Sequence, residues 1–297
     1  MEAPYHINWN ITYRCPMNCQ HCYSRARLEA ESLDAAGRMI VARKLVASKV
    51  FSVNLGGGEP LILDDILEVI GVLSLGGIDV SLGSSGWKGL RGRARDLKDS
   101  GLRSVIFSLD SADEAQHDAL RRRVGSYRDV LAAAERCAAV DLPFSLSTVL
   151  TRENADSLED LLELASKIGA SGMEFKRLRL FGNAEGLSEL LLSAEQEREL
   201  YDRIAGWKKR YPFRVALTYG EEAIEGIDQG CPCGRSSLCV LANGDVVPCV
   251  YNAQVIGSIL KDDLDRLWLD SPLLQRLRAG FHCQGRALDT SGLEVFA

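Results

Sequence analysis

Three thiols fall within one short stretch of this chain, Cys15, Cys19 and Cys22, spaced C-x3-C-x2-C directly after a β-prone run at 7–12. Thiolates gathered this closely hold soft metals, iron–sulfur clusters in particular. The count narrows the chemistry. A structural zinc site closes with four ligands, usually as two pairs, and a ferredoxin run supplies a fourth cysteine to its cluster set. Three local thiolates leave one iron of a [4Fe–4S] cube without a protein ligand, where a small molecule can bind.

The surroundings of that loop are periodic. Short runs rich in Val, Ile, Leu or Phe lie near 7–12, 51–56, 78–84, 104–110, 143–149 and 172–178, as buried parallel strands should. Amphipathic stretches separate them at 33–49, 64–75, 89–100, 126–140 and 156–168, with a sixth at 193–210. Six βα units in sequence predict an α/β fold with a parallel sheet and right-handed crossovers. Six is fewer than the eight that close a barrel, so an open, partial (β/α)6 barrel is expected. Ligands in such sheets sit at the carboxyl ends of the strands.

A second motif stands where this geometry needs it. Gly56, Gly57, Gly58, Glu59 and Pro60 follow the second strand-like run. Glycines permit positive φ and let backbone approach a ligand closely. Together with the cysteine loop and its His21-Cys22-Tyr23 ending, this resembles the radical S-adenosylmethionine (SAM) enzymes. The resemblance implies a [4Fe–4S] cluster on Cys15, Cys19 and Cys22, with SAM on its open iron and the glycine turn at the SAM amino group. It covers roughly residues 5–185 and implies the same partial barrel.

Further SAM-site candidates lie at the strand ends. Ser84 and Ser85 follow the third strand, and Ser108 and Asp110 end the fourth, resembling the family's Ser-Leu-Asp-Gly element. The bland alternative for all four is ordinary turn chemistry. His21 occupies the position where the family has a ring against the adenine, with Tyr23 beyond the last cysteine. Arg121, in a His-Asp-x-x-Arg context beginning at His117, is a candidate for the SAM carboxylate. Asn154, after the fifth strand, could bond the adenine side of SAM or cap a helix beginning near Ala155, and is read as the cap. On the sixth strand, Lys176, Arg177 and Arg179 are either surface residues or costly inward cations that must meet an anion; for Arg177 that anion is expected to be SAM or an acidic substrate.

The carboxyl-terminal part carries Cys231, Cys233, Cys239, Cys249 and Cys283. Asn243-Gly244 between apolar runs is a hairpin signal. The segment resembles the SPASM/twitch extension of radical SAM enzymes, which implies a small hairpin-plus-helix domain with an auxiliary cluster. The chain lacks the further cysteine group of the full SPASM pattern, so one auxiliary [4Fe–4S] cluster is expected. Cys233, Cys239, Cys249 and Cys283 are the first choice of ligands, with Cys231 as the alternative to Cys233; a four-thiolate zinc site is the rival. The expected organisation is 1–185 partial barrel, 186–228 helical connector and 229–297 auxiliary domain.

Composition bounds the rest. Nine cysteines in a leaderless chain of 297 residues point to metal ligation rather than a disulfide scaffold, hence to a reducing cytoplasm and oxygen sensitivity. A net charge of −6 argues against wide contact with nucleic acid. No apolar run approaches the roughly 20 residues that span a bilayer. The resemblance implies reductive cleavage of SAM to a 5′-deoxyadenosyl radical that takes hydrogen from a substrate, with a flavodoxin- or ferredoxin-type electron donor. A peptide is the expected substrate, in an oxidoreductase- or lyase-type reaction, although few residues precede the first strand and leave no room for a leader-recognition domain. A small sugar, aminocyclitol or nucleoside is the alternative.

Overall fold

The computed structural model describes residues 3–27, 31–90, 92–218, 231–252 and 254–279. Its frame is a set of six parallel strands in chain order: β1 (His6–Thr12), β2 (Ser52–Gly57), β3 (Asp79–Ser84), β4 (Ser104–Ser108), β5 (Phe144–Leu150) and β6 (Gly172–Arg177). The crossovers run through α1 (Ala35–Ala47), α2 (Ile66–Leu75), α3 (Ala94–Asp99), α4 (Glu114–Arg121), α5 (Ser126–Ala138) and α6 (Leu158–Lys167), and α7 (Ala194–Arg210) follows β6. This is the expected α/β partial barrel. Among the described crossovers α4 was not expected; it is a mostly polar piece whose N-cap Asp113 accepts a hydrogen bond from the Gln116 amide.

Alternation along the strands divides the molecule into two faces. Ile7, Trp9, Val53, Leu55, Val80 and Leu82 are buried with Val41, Leu45, Ile70 and Leu73 of the helices. The intervening residues are polar and linked across the sheet. Asn54 Nδ2 donates to Asn8 Oδ1 at 3.5 Å, and Ser81 Oγ donates to Asn54 Oδ1 at 3.1 Å. His6 Nδ1 lies 2.9 Å from Ser52 Oγ. An inner face of amides and hydroxyls is a hydrogen-bonding lining rather than a second core.

The sheet extends past six strands at both edges. β7 (Arg214–Thr218) pairs parallel with β6. At the other edge β8 (Ser237–Val240) runs parallel to β1, setting Leu238 beside Ile7 and Val240 beside Trp9. The Asn243-Gly244 turn, with Gly244 at φ 89, then returns the chain antiparallel as β9 (Asp245–Val247), followed by β10 (Gly257–Ser258). The hairpin foreseen at Asn243-Gly244 therefore forms, and it continues the barrel sheet, covering an edge that would otherwise present unpaired backbone groups. Lys44 Nζ of α1 donates to Asp262 O at 2.9 Å. Helices α8 (Leu264–Asp270) and α9 (Pro272–Arg278) close this end, with Trp268 buried under the guanidinium of Arg278 at 3.9 Å. Among the described residues no helix is long and apolar enough to cross a membrane.

Candidate SAM and iron–sulfur site

The cysteine loop leaves the carboxyl end of β1 and is held from two sides. Gln20 N donates to Leu120 O at 2.9 Å, and Gln20 Nε2 to Ala119 O at 3.1 Å, fixing it against α4. From beyond β6, Asn183 N donates to Cys22 O at 3.1 Å and Asn183 Nδ2 to Cys19 O at 2.9 Å. Gly182 adopts φ 67, and a Cβ there would lie 2.5 Å from Cys22 O. This clamp escaped the sequence reading; the Gly-Asn pair after the sixth strand was its only local signal.

The glycine turn divides into two roles. A Cβ at Gly58 would meet Arg14 O at 2.2 Å, and one at Gly57 would meet Thr12 O at 2.5 Å, so both glycines let β2 close against the start of the cysteine loop. Gly58 N donates to Thr12 O at 2.7 Å and Glu59 N to Arg14 O at 3.0 Å. At Gly56 a Cβ would meet only Asn54 Nδ2, at 3.7 Å. Pro60 opens a short 3-10 turn, Pro60–Ile62.

Glu59 is buried, and its carboxylate is spoken for within the chain. It accepts from Ser84 Oγ (3.0 Å), Leu61 N (3.3 Å), Ser85 N (2.8 Å) and Ser85 Oγ (2.7 Å). Burial raises its pKa, and these donors oppose the rise. Ser84, foreseen as a SAM contact or a turn residue, joins β3 to β2 through Glu59.

At the end of β4, Asp110 anchors a buried charge cluster. Arg121 Nε of α4 lies 2.6 Å from Asp110 Oδ2, and Arg121 Nη1 lies 3.6 Å from Cys19 Sγ. His21 Nε2 stands 3.9 Å from Asp110 Oδ2. The Asp110 amide donates to His117 Nδ1 at 3.1 Å. Burial pushes the Asp110 carboxyl up, but Arg121, the two histidines and the Val149 amide hold it below its ordinary range. Burial pushes both His21 and His117 down to about 4. His117, noted in the sequence only as the start of the context leading to Arg121, thus fixes the backbone of the Asp110 turn. Ser108 ends β4 half-buried.

Asn154 does not cap a helix with its side chain. Its Nδ2 donates to Asp110 O and Val149 O, both at 2.9 Å, and its Oδ1 accepts from Thr151 N. It ties the ends of β4 and β5 together. Arg177 also departs from expectation: its anion is Glu197 of α7, with Nε to Oε1 at 2.7 Å and Nη2 to Oε2 at 2.9 Å. A two-bond pair of this kind satisfies the guanidinium inside the chain.

In the carboxyl-terminal segment, Cys233 is hydrogen-bonded with Cys231 and Cys249, which raises the Cys233 thiol, and its hydrogen bond to Cys249 lowers that of Cys249. Cys239 is fully buried on β8, with the Cys249 charge as a further influence after burial. Cys283 lies outside the described residues. Tyr23 bridges the two cysteine groups: its hydroxyl donates to Asn10 Oδ1 at 3.1 Å and its ring meets Tyr251 at 5.8 Å.

The groups fit an iron–sulfur cofactor. Cys15, Cys19, Cys22, Cys231, Cys233, Cys239 and Cys249 are none of them joined in a disulfide. Among the described residues no three His, Cys, Asp or Glu side chains converge on a single-ion point, and a cubane asks for something else, one thiolate per iron around its corners. Asn10 Nδ2 and His21 Nδ1 are buried and unpartnered near the cysteine loop. Burial lifts the Cys15 thiol to about 12 and raises Cys22, so cluster loading must release protons.

A parallel half-barrel with a three-thiol loop after β1 and a glycine turn after β2 defines an enzyme that works at the strand ends with a cluster and a small cofactor. The chain belongs to the Radical SAM superfamily, whose family model matches residues 9–165; the model described as an iron–sulfur cluster-binding domain, SPASM, matches 231–289. It is similar to the mycofactocin maturase MftC of Mycobacterium ulcerans, 30% identical over 94% of this chain and 78% of that protein. It is also similar to the PqqA peptide cyclase of a Methylobacterium species (strain 4-46), 28% identical over 94% of this chain and 76% of that protein. Among solved structures, Streptococcus suis SuiB bound to its precursor peptide SuiA shares the fold, with a TM-score of 0.78 at 16% identity, covering 94% of this chain and 67% of SuiB. The family implies a [4Fe–4S] cluster and SAM at the amino-terminal loop, and auxiliary iron–sulfur ligation in the carboxyl-terminal segment.

Proposed function

We propose that this radical SAM enzyme modifies a peptide. The observation that carries the reading is kinship over nearly the whole chain with a maturase and a peptide cyclase. When bound, the cluster and SAM supply a strongly oxidising carbon-centred radical that takes a hydrogen atom from the substrate. The chain's own residues then have four tasks. Cys15, Cys19 and Cys22 hold the cluster. Gly56 leaves room for SAM, while Gly57, Gly58, Glu59, Pro60 and Ser84 shape the turn beside it. His21, Tyr23, Ser108, Asp110 and Arg121 form the polar wall of the same site. The inner face around Asn8, Asn54 and Ser81 offers hydrogen bonds to a polar peptide side chain and excludes bulk water from the radical.

One auxiliary cluster, on Cys239, Cys249, Cys283 and either Cys231 or Cys233, would accept the electron left on the substrate, giving an oxidoreductase-type net change. Functionally the chain divides at 185 and 229 into barrel, connector and auxiliary unit. A small one-electron carrier protein supplies the reducing electron, in a reducing compartment such as the cytoplasm. The test is anaerobic incubation of reduced, cluster-loaded enzyme with SAM and either candidate precursor peptides or sugar nucleotides. Peptide-stimulated 5′-deoxyadenosine with a mass change in the peptide supports the proposal. Stimulation by sugar nucleotides alone overturns it.

A further inference from the structure

The turn that follows α4 lies directly over the cysteine loop. Arg123 Nη1 is 3.9 Å from Met17 Sδ, and its guanidinium sits 4.3 Å above the Trp87 ring. Arg123 thus ties the turn of Arg122 and Val124 to the segment of Trp87 and Lys88 and to the loop around Met17. Arg14, Lys88 and Arg122 are exposed, and Val124 is 93% exposed.

The charges here are sorted by direction. The neighbouring carboxylates point inward: Asp118 accepts from Ser126 Oγ and Tyr127 N, Asp129 pairs with Arg123 at 2.8 Å, and Glu59 is held by Ser84 and Ser85. Among the described residues no carboxylate pairs with Arg14, Lys88 or Arg122. Arg122 also holds a left-handed backbone, φ 50 and ψ 40, at a helix end where glycine would sit without strain. Cations around an apolar tip are the composition of a small transient interface, with steering at the rim and contact at the centre. The chain as a whole carries −6, so its net charge does not itself draw in an acidic partner.

We propose that the exposed turn formed by Arg122 and Val124, with Lys88 and Arg14 beside it, is the docking face for a small acidic one-electron carrier protein. This rests on the reading of the cysteine loop as the cluster site. The carrier gives up one electron and is oxidised; the centre on Cys15, Cys19 and Cys22 gains it, and no atom or proton need cross. The path is short, because Arg121 spans from this turn to Cys19 Sγ.

The test is stopped-flow oxidation of flavodoxin hydroquinone by cluster-loaded enzyme across a range of ionic strength. The double reversal Lys88→Glu/Arg122→Glu should lower the second-order rate constant about tenfold or more at low salt and flatten its salt dependence. Val124→Glu should slow the same reaction, whereas Lys208→Glu/Lys209→Glu, a charge change on α7 equal to that of the double reversal, should leave it near wild type. Iron content and dithionite-driven 5′-deoxyadenosine formation should stay unchanged in all three. Wild-type rates and salt dependence in the double reversal and in Val124→Glu would overturn the docking face. Failure of wild-type enzyme to form 5′-deoxyadenosine with dithionite would instead overturn the cluster reading on which it rests.

Discussion

Arg121 Nε lies 2.6 Å from Asp110 Oδ2, with both side chains nearly sealed from solvent. The pair joins α4 to the end of β4, and the same guanidinium reaches the sulfur of Cys19. Removing one partner of a buried pair strands the other charge. Asp110→Asn and Arg121→Gln should each destabilise the cluster-free protein by about 3 kcal/mol, measured by urea denaturation. Arg121→Lys should recover only part of the loss, since an ammonium cannot reach carboxylate and thiol as a planar fork does.

Two neighbouring glycines should respond in opposite ways. Gly58→Ala drives a methyl into the Arg14 carbonyl; it should lower the melting temperature and cut cluster incorporation sharply. Gly56→Ala meets nothing closer than 3.7 Å. It should fold and load iron normally yet weaken SAM binding at least tenfold, read by equilibrium binding to loaded enzyme.

His117 makes stability depend on pH. Its Nδ1 accepts from the Asp110 amide, so the native ring is neutral, and its pKa falls from 6.5 to about 4 because burial outweighs the nearby carboxylates. Below pH 6.5 the unfolded chain takes up a proton that the folded one refuses. Stability is therefore full above pH 6.5 and declines as pH falls toward 4, by on the order of 3 kcal/mol for this residue. His21 should add to the same window in the cluster-free protein. His117→Gln should reduce the slope of unfolding free energy against pH between 4 and 6.5 by about one proton's worth, measured by urea titrations at several pH values.

Local pattern accounts for what the sequence revealed. β2 and α6 were legible because apolar residues recur with the period each element imposes, and the glycine turn because it stands at a strand end. The pairing of β8 with β1 was not, since partner choice between strands more than 200 residues apart leaves no local mark. α4 was missed because Glu114–Arg121 is short and mostly polar, with Leu120 its one large apolar residue. Glu59, Asn154 and Arg177 were assigned to ligand or cap because their true partners, Ser85, Asp110 and Glu197, are set by tertiary structure.

The central claim is that Cys15, Cys19 and Cys22 carry a cluster separate from the carboxyl-terminal one. Iron, sulfide and EPR analysis of anaerobically reconstituted protein, for wild type and for the triple Cys15→Ala/Cys19→Ala/Cys22→Ala variant, tests it most directly. The account predicts that the variant keeps about half the iron and one cubane signal, and forms no 5′-deoxyadenosine under dithionite. Undiminished iron in the variant, or zinc in place of iron at the wild-type triplet, would contradict it.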